Sequence, residues 1–232
     1  MEFSLLGAAL IGVGLVYAVL YWEARRGIAA DCTRDLWDIA LSAAVVGLLV
    51  GRLAAMVSNG VNPLTHPADI LIVRGGVATG PAAVAALATT AWLGRSELWR
   101  VADGLSAASL AGLGGWHAGC LVRGTCLGTP SDLPWAVAQS GSTITRHPVE
   151  IYAAIVLVAG AVILALLRYR SSLMPGAAAG TALVVASAVR LATEPLRPAI
   201  GNGPVGWYVL GVVAGMGVVT LSVRRRRVAR ES

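Results

Sequence analysis

The sequence predicts an all-α fold, a polytopic membrane bundle of about seven transmembrane helices with its N-terminus outside and its C-terminus inside. Three observations carry that expectation. First, 56% of the 232 residues are hydrophobic and only 13% are charged, with a mean hydropathy of +0.73, whereas about a quarter of the residues in a soluble domain are charged. Second, apolar stretches long enough to cross a hydrocarbon core, about 20 residues each, recur along the chain. Third, arginines cluster after alternate stretches, as the positive-inside rule requires of cytoplasmic loops.

In order, the expected spans are 4–22, 36–57, 76–94, 102–122, 149–168, 174–193 and 205–223. The first lacks a basic leading region and a small-residue cleavage site, so it reads as a retained span rather than a removed signal peptide. Several of the others begin or end in glycine- or proline-bearing segments, which membrane helices tolerate when neighbours satisfy the freed backbone groups. Arg25, Arg26 and Arg34 follow the first span, Arg95 and Arg100 follow the third, Arg168 and Arg170 follow the fifth, and Arg224 to Arg227 follow the seventh. Alternation of the spans puts all of them on one side, the cytoplasmic one. The net charge of +6 comes from arginine alone, since the chain has no lysine. An arginine tail beside apolar spans suits an anionic leaflet as a topology anchor and argues against a nucleic-acid partner.

A single transmembrane domain over 1–232 therefore presents segments 58–75, 123–148 and 194–204 on the opposite, extracytoplasmic face. Polar variety gathers there, in Asn59, His66, Asp69, Arg74, Arg123, Asp132, Arg146, His147 and Glu194, with Trp135 and Trp207 as interfacial anchors. Polar residues gathered at one face, with no inverted repeat, disfavour a transporter or channel. Arg190 and Glu194 end an otherwise apolar stretch. Four residues apart on a helix, they share a face and can form an ion pair. Arg190 either snorkels to the surface or holds an anionic group at the outer edge.

The segment from Gly115 to Trp135 is the most unusual part of the chain. His117, Cys120 and Arg123 recur there at helical spacing, while Gly119, Gly124 and Gly128 allow close backbone approach, and amides freed there could bind a phosphate oxygen. His117 reads either as a buried, hydrogen-bonded histidine or as part of a site. Cys120 and Cys126 read as small packing residues or as a disulfide on an oxidising face. A zinc site from His117, Cys120 and Cys126 lacks a fourth ligand and the usual spacing. Neither a metal nor a cofactor is expected. In the run Arg146 to Tyr152, Pro148 suits a helix start and Glu150 fits the first turn, where the helix dipole favours an anion. His147 could titrate near neutral pH. Arg74 is an interfacial anchor ahead of the third span. Arg52, inside the second span, needs a partner, with Asp103 and Glu194 as the candidate carboxylates.

Taken together, these segments resemble the bacterial prolipoprotein diacylglyceryl transferase family over most of the chain. Gly51, Arg52 and Leu53 look like its G-R-L, and the run from Gly75, Gly76 and Val77 looks like its G-G-[LM]-x-x-H-G-G. Trp116 to Trp135 is similar in spacing to its G-R-x-G-N-F-x-N-x-E-x-x-G signature with the T-D-x-P-W ending. His147 to Tyr152 looks like its H-P-[ST]-Q-x-Y-E, and Arg190, Glu194 and Arg197 look like its R-x-x-x-E-x-x-R. The chain also departs from these patterns. The family's catalytic histidine falls on Gly80, its signature arginine on His117, its two asparagines on Cys120 and Arg123, and its glutamate on Thr125. The signature's last glycine is kept as Gly128. A family branch with cysteines in this signature, of the type G-C-x-x-x-G-C-C-x-G, resembles the chain better.

The resemblance implies seven spans and an active site on the extracytoplasmic side of the bacterial inner membrane. The implied reaction moves a diacylglyceryl group from phosphatidylglycerol to a lipobox cysteine thiol of a preprolipoprotein, near its signal-peptide region, and releases glycerol phosphate. Membrane lipids and these two substrates are the implied partners. Arg190, held by Glu194, would bind the lipid phosphate, with Arg197, Arg123, Arg74, Gly119 and Gly128 completing its pocket. His117 would be a second phosphate donor or a replacement base, with His147 in reserve. The alternatives are a related lipid transferase with another acceptor and a catalytically inactive phospholipid-binding paralogue.

Overall fold

A computed structural model describes residues 2–28, 32–71, 76–119, 127–139, 141–171, 173–198 and 204–231, with the side chains of 2–6, 71 and 226–231 left out. Its helices are α1 (Glu2–Arg25), α2 (Leu36–Ser58), α3 (Ala68–Leu71), α4 (Thr79–Leu93), α5 (Leu98–Ala118), α6 (Val149–Arg170), α7 (Ala177–Thr193) and α8 (Val205–Glu231). A 3-10 turn, Glu194–Leu196, follows α7. Between α5 and α6 lie two short antiparallel strands, β1 (Val137–Ala138) and β2 (Thr145–Arg146). A helix overlaps each of the expected apolar segments. Among the described residues, five stretches are long and apolar enough to cross a membrane: Gly7–Arg25, Leu36–Ser58, Val149–Arg170, Ala177–Leu196 and Val205–Arg225. The chain is an all-α polytopic membrane protein. Large apolar side chains left exposed on these helices, such as Leu48 on α2, Ile155 and Ile163 on α6 and Val213 on α8, are what a lipid-facing surface requires, because acyl tails rather than water solvate them.

Two compact units divide the chain, one comprising 1–31 and 102–232, the other 32–101. In the smaller unit Asp35 caps α2 by accepting from the Trp37 amide at 2.8 Å. Arg52, almost fully buried in α2, donates Nε and Nη2 to the Asp69 carbonyl and Nη1 to the Gly76 carbonyl, all within 2.9 Å. Carbonyl oxygens thus take the role that the sequence assigned to a carboxylate.

The larger unit packs α5, α6 and α7 around Leu110, Ala111, Ala153, Leu157, Leu164 and Ala182. Small residues let α1 approach α5: an added Cβ at Gly115 or Gly119 would run into the backbone of Gly12 or Ala8. Such stripes drive helix association where lipid removes the hydrophobic incentive. Gly119 therefore serves packing, and its amide is already bonded to the Gly115 carbonyl at 3.0 Å. It is not a free donor for a phosphate.

Charged groups collect at the two ends of this unit. At one end Glu23, with no exposed surface, accepts from Arg168 Nη1 on both carboxylate oxygens at 2.7 Å. Nearby, Asp103 of α5 accepts from the amides of Gly176 (2.7 Å) and Ala179 (2.8 Å) and so caps α7. Arg168, expected as a basic flank of a span, is thus the ion-pair partner of a buried carboxylate. The opposite end holds the candidate site.

Candidate functional site

His117 lies in the last turn of α5, Glu150 in the first turn of α6, Arg190 in the last turn of α7, and Glu194 and Arg197 begin and follow the 3-10 turn. Antiparallel passage of α5, α6 and α7 brings these termini to one end of the unit. His117 is buried and its Nδ1 bonds Glu150 Oε2, while Arg197 Nη2 donates to the other carboxylate oxygen, Oε1. Glu150 is therefore a bridge between an imidazole and a guanidinium, both on other elements. Arg190 is near enough to act electrostatically on the same carboxylate.

The expected Arg190–Glu194 ion pair does not form. The backbone keeps the four-residue register, since the Glu194 amide still bonds the Arg190 carbonyl. The guanidinium reaches across to α8 instead. Its Nε and Nη2 donate to the Tyr208 hydroxyl at 3.3 and 3.0 Å, and its carbon lies 5.4 Å from that ring's centroid. A cation over a tyrosine face gains from the ring quadrupole as well as from the hydroxyl. Glu194 is left half-buried, and its Oε2 has no hydrogen-bond partner among the described residues. The same holds for Arg197 Nε. One is an acceptor lacking a donor and the other a donor lacking an acceptor, and buried polar atoms of either kind are costly unless a partner arrives.

Gly128 anchors the floor beside this cluster. Its amide donates to the His147 carbonyl at 2.7 Å, Thr129 donates to the Leu196 carbonyl at 2.8 Å, and His147 donates back to Thr129 at 3.0 Å. A Cβ at Gly128 would overlap the Leu196 carbonyl oxygen and the Val149 side chain. Gly128 thus ties the loop to the turn that carries Glu194 and Arg197, and its own amide is not available to a phosphate. His147 holds this junction through its backbone, while its ring packs edge-on against Tyr152, with Nδ1 3.5 Å from the hydroxyl. Tyr152 also accepts from Trp135 Nε1 at 2.8 Å.

Of the residues singled out from sequence, the structure brings together His117, Arg190, Glu194 and Arg197, with His147 and Gly128 beside them. Arg74, Arg123, Cys120 and Cys126 lie outside the described residues. Gly80, in the first turn of α4, has open space around it and offers no side chain for proton transfer. Sequence reasoning missed Glu150 and Tyr208 as site residues. Glu150 stands where the family pattern has glutamine, and His117 where it has arginine. The signal was a paired change of charge in two separate motifs.

Long apolar helices, with charged side chains gathered in a half-buried cluster at one end, define a polytopic membrane protein. Comparison with known proteins makes the class specific. Residues 5–223 match the family described as prolipoprotein diacylglyceryl transferase, and the chain belongs to that family. Relatives named phosphatidylglycerol–prolipoprotein diacylglyceryl transferase include one from Bordetella avium, 29% identical over 62% of this chain and 57% of the relative. One from Solidesulfovibrio magneticus is 27% identical over 77% of this chain and 72% of the relative. Another, from Methylococcus capsulatus, is 29% identical over 80% of this chain and 74% of the relative. The chain thus spans between about half and three quarters of the length of these relatives.

Proposed function

We propose that the protein transfers the diacylglyceryl group of phosphatidylglycerol to the lipobox cysteine thiol of a preprolipoprotein, at the extracytoplasmic face of a bacterial inner membrane. The observation that carries this reading is the pair of buried atoms Glu194 Oε2 and Arg197 Nε, near Arg190, that have no partner among the described residues. A phosphoglycerol headgroup complements both. Its phosphate oxygens accept from guanidinium donors, and its glycerol hydroxyls donate to a carboxylate. Arg190 and Arg197 hold the phosphate, and Tyr208 keeps the Arg190 guanidinium from snorkelling away. The positive charge stabilises the phosphate as it leaves. His117 serves the acceptor thiol or the phosphate.

The topology that fits has about seven spans, an outer N-terminus and an inner C-terminus, with Arg224 and Arg225 at the cytoplasmic end of α8. Purified protein in micelles with phosphatidylglycerol and a lipobox peptide is expected to release glycerol phosphate, and Arg190→Ala to abolish that release. Turnover that survives Arg190→Ala refutes the assignment. Gly80, standing where the family pattern has its histidine, favours a second reading, a phospholipid-binding paralogue. That reading predicts retained phosphatidylglycerol with no glycerol phosphate released by the unaltered protein.

A further inference from the structure

The His117–Glu150–Arg197 chain has a consequence that depends on the transferase reading above. We propose that Glu150 is a positioning residue, whose carboxylate, held on one side by Arg197, fixes His117 with its proton on Nδ1, so that Nε2 takes the proton of the acceptor thiol.

The argument is one of donors and acceptors. An arginine can only donate, so Glu150 Oε1 accepts from Arg197 Nη2. The other oxygen, Oε2, meets His117 Nδ1. A carboxylate already accepting from a guanidinium has only lone pairs to offer there, so the hydrogen in that contact belongs to Nδ1. A neutral imidazole with its proton on Nδ1 carries its lone pair on Nε2. Among the described residues Nε2 has no hydrogen-bond partner. Burial fixes the ring: the side chains of His117 and Glu150 are 9% and 14% exposed, so neither rotates freely into water. The same logic orients the base in serine hydrolases, where a carboxylate holds the imidazole tautomer and offsets its charge once it is protonated.

In the reaction His117 Nε2 removes the thiol proton. The sulfur attacks the glycerol carbon that bears the phosphate ester, and a carbon–sulfur bond forms there. The carbon–oxygen bond to phosphate breaks with its electron pair left on the phosphate oxygen. The proton passes from Nε2 to the departing glycerol phosphate, which restores the neutral ring. Both roles open to His117, base and phosphate donor, thus become successive states of one side chain. Among the described residues, the titratable and charged groups gathered at this end are Glu150 on α6, Arg190 on α7, Glu194 and Arg197 at the following turn, Tyr208 on α8, and His147 and Tyr152 around the start of α6. Ala8 and Gly12, where α1 meets α5, bring no ionisable side chain.

The test compares Glu150→Gln with the unaltered protein across a pH series. A glutamine cannot accept on both of its terminal atoms, so either His117 or Arg197 then faces an amide nitrogen. The expected result is a kcat lower by roughly 10²-fold or more, little change in KM for phosphatidylglycerol, and an altered pH profile. Nitrogen-15 spectra of the histidines should show the Nδ1-protonated form at His117 and its loss in Glu150→Gln. Should that variant not fold, Glu150→Asp keeps the charge but draws back by one methylene, and an intermediate kcat is expected. Wild-type kcat and pH profile in the variant that folds overturn the positioning role, and they leave the transferase reading intact if Arg190→Ala is dead. An unaltered protein that releases no glycerol phosphate overturns both.

Discussion

Arg168→Ala is expected to be the most destabilising single truncation at the Glu23 end of the larger unit. Glu23 has no exposed surface, and both its oxygens lie 2.7 Å from Arg168 Nη1. One nitrogen serves both oxygens, so the contact is not the parallel two-nitrogen fork that gives the strongest arginine–carboxylate pairs. Truncating the arginine leaves the carboxylate buried without its cation, which costs about 3–5 kcal/mol. For a chain of this size that corresponds to roughly 6–20 °C in the melting midpoint. Glu23→Gln should cost less. Arg168 keeps 10% of its side chain exposed and lies 3.4 Å from the Gly104 carbonyl, so an unpaired guanidinium has somewhere to turn. The double change Glu23→Leu with Arg168→Met should return to within about 1–2 kcal/mol of the original, because no buried charge is left. The assay is unfolding in mixed micelles by thermal and denaturant titration, read as a double-mutant cycle. Arg168→Ala within about 0.5 kcal/mol of the unaltered protein, the scatter of ordinary surface changes, would show that Arg168 is a solvated flank and refute the pair.

Three further outcomes are expected. Gly128→Ala pushes a Cβ against the Leu196 carbonyl, and overpacking of this kind costs about 1–3 kcal/mol; a thermal melt in detergent checks the loss, which should also slow glycerol phosphate release. Tyr208→Phe keeps the ring under Arg190 but removes the hydroxyl that takes two of its donors, so kcat/KM for phosphatidylglycerol should fall on the order of tenfold, and an unchanged value would show that Tyr208 does not position the guanidinium. Glu97, outside the spans, is held below the ordinary carboxylate range chiefly by the Thr33 hydroxyl. A depressed carboxyl stabilises above its unfolded value and loses that contribution as pH falls through the folded one, so carbon-13 titration should show Glu97 protonating late on acidification and Thr33→Ala shifting it back upward.

The apolar segments were legible because length and hydropathy are local properties. Expected bounds of 36–57, 149–168 and 205–223 fall on α2, α6 and α8. The boundaries slipped where a polar residue had a distant partner. The fourth segment was expected from 102, yet α5 begins at Leu98 and takes in Arg100, which was expected between the third and fourth spans. Glu23, beyond the expected end of the first span, is inside α1 because Arg168 neutralises it. The site was half legible for the same reason. Arg190, Glu194 and Arg197 form one short run whose spacing can be read directly. Tyr208 and Glu150 act through elements that pack beside that run only in three dimensions. Glu150 was further hidden because a first-turn carboxylate after proline already has a sufficient local explanation in the helix dipole.

The two charged ends of the larger unit differ in a way that bears on function more than the identity of any one residue. Among the described residues at the Glu23 end, the two carboxylates are matched: Glu23 has its guanidinium, and Asp103 has two amides to accept from. Such an end can only hold helices together. At the His117 end the same kinds of residues are left incompletely matched, with a carboxylate oxygen on Glu194 and the Nε of Arg197 both buried and unpartnered among the described residues. The apolar environment strengthens any contact a ligand makes there, and it raises the cost while those contacts are unmade. A fold selected only for stability would have closed this end too, as it closed the other. That asymmetry supports the proposal that a phosphoglycerol headgroup binds here, and it gives a stability test independent of turnover. Phosphatidylglycerol should raise the melting midpoint of the unaltered protein more than a zwitterionic lipid does, and the difference should vanish when Glu194→Ala and Arg197→Ala are combined.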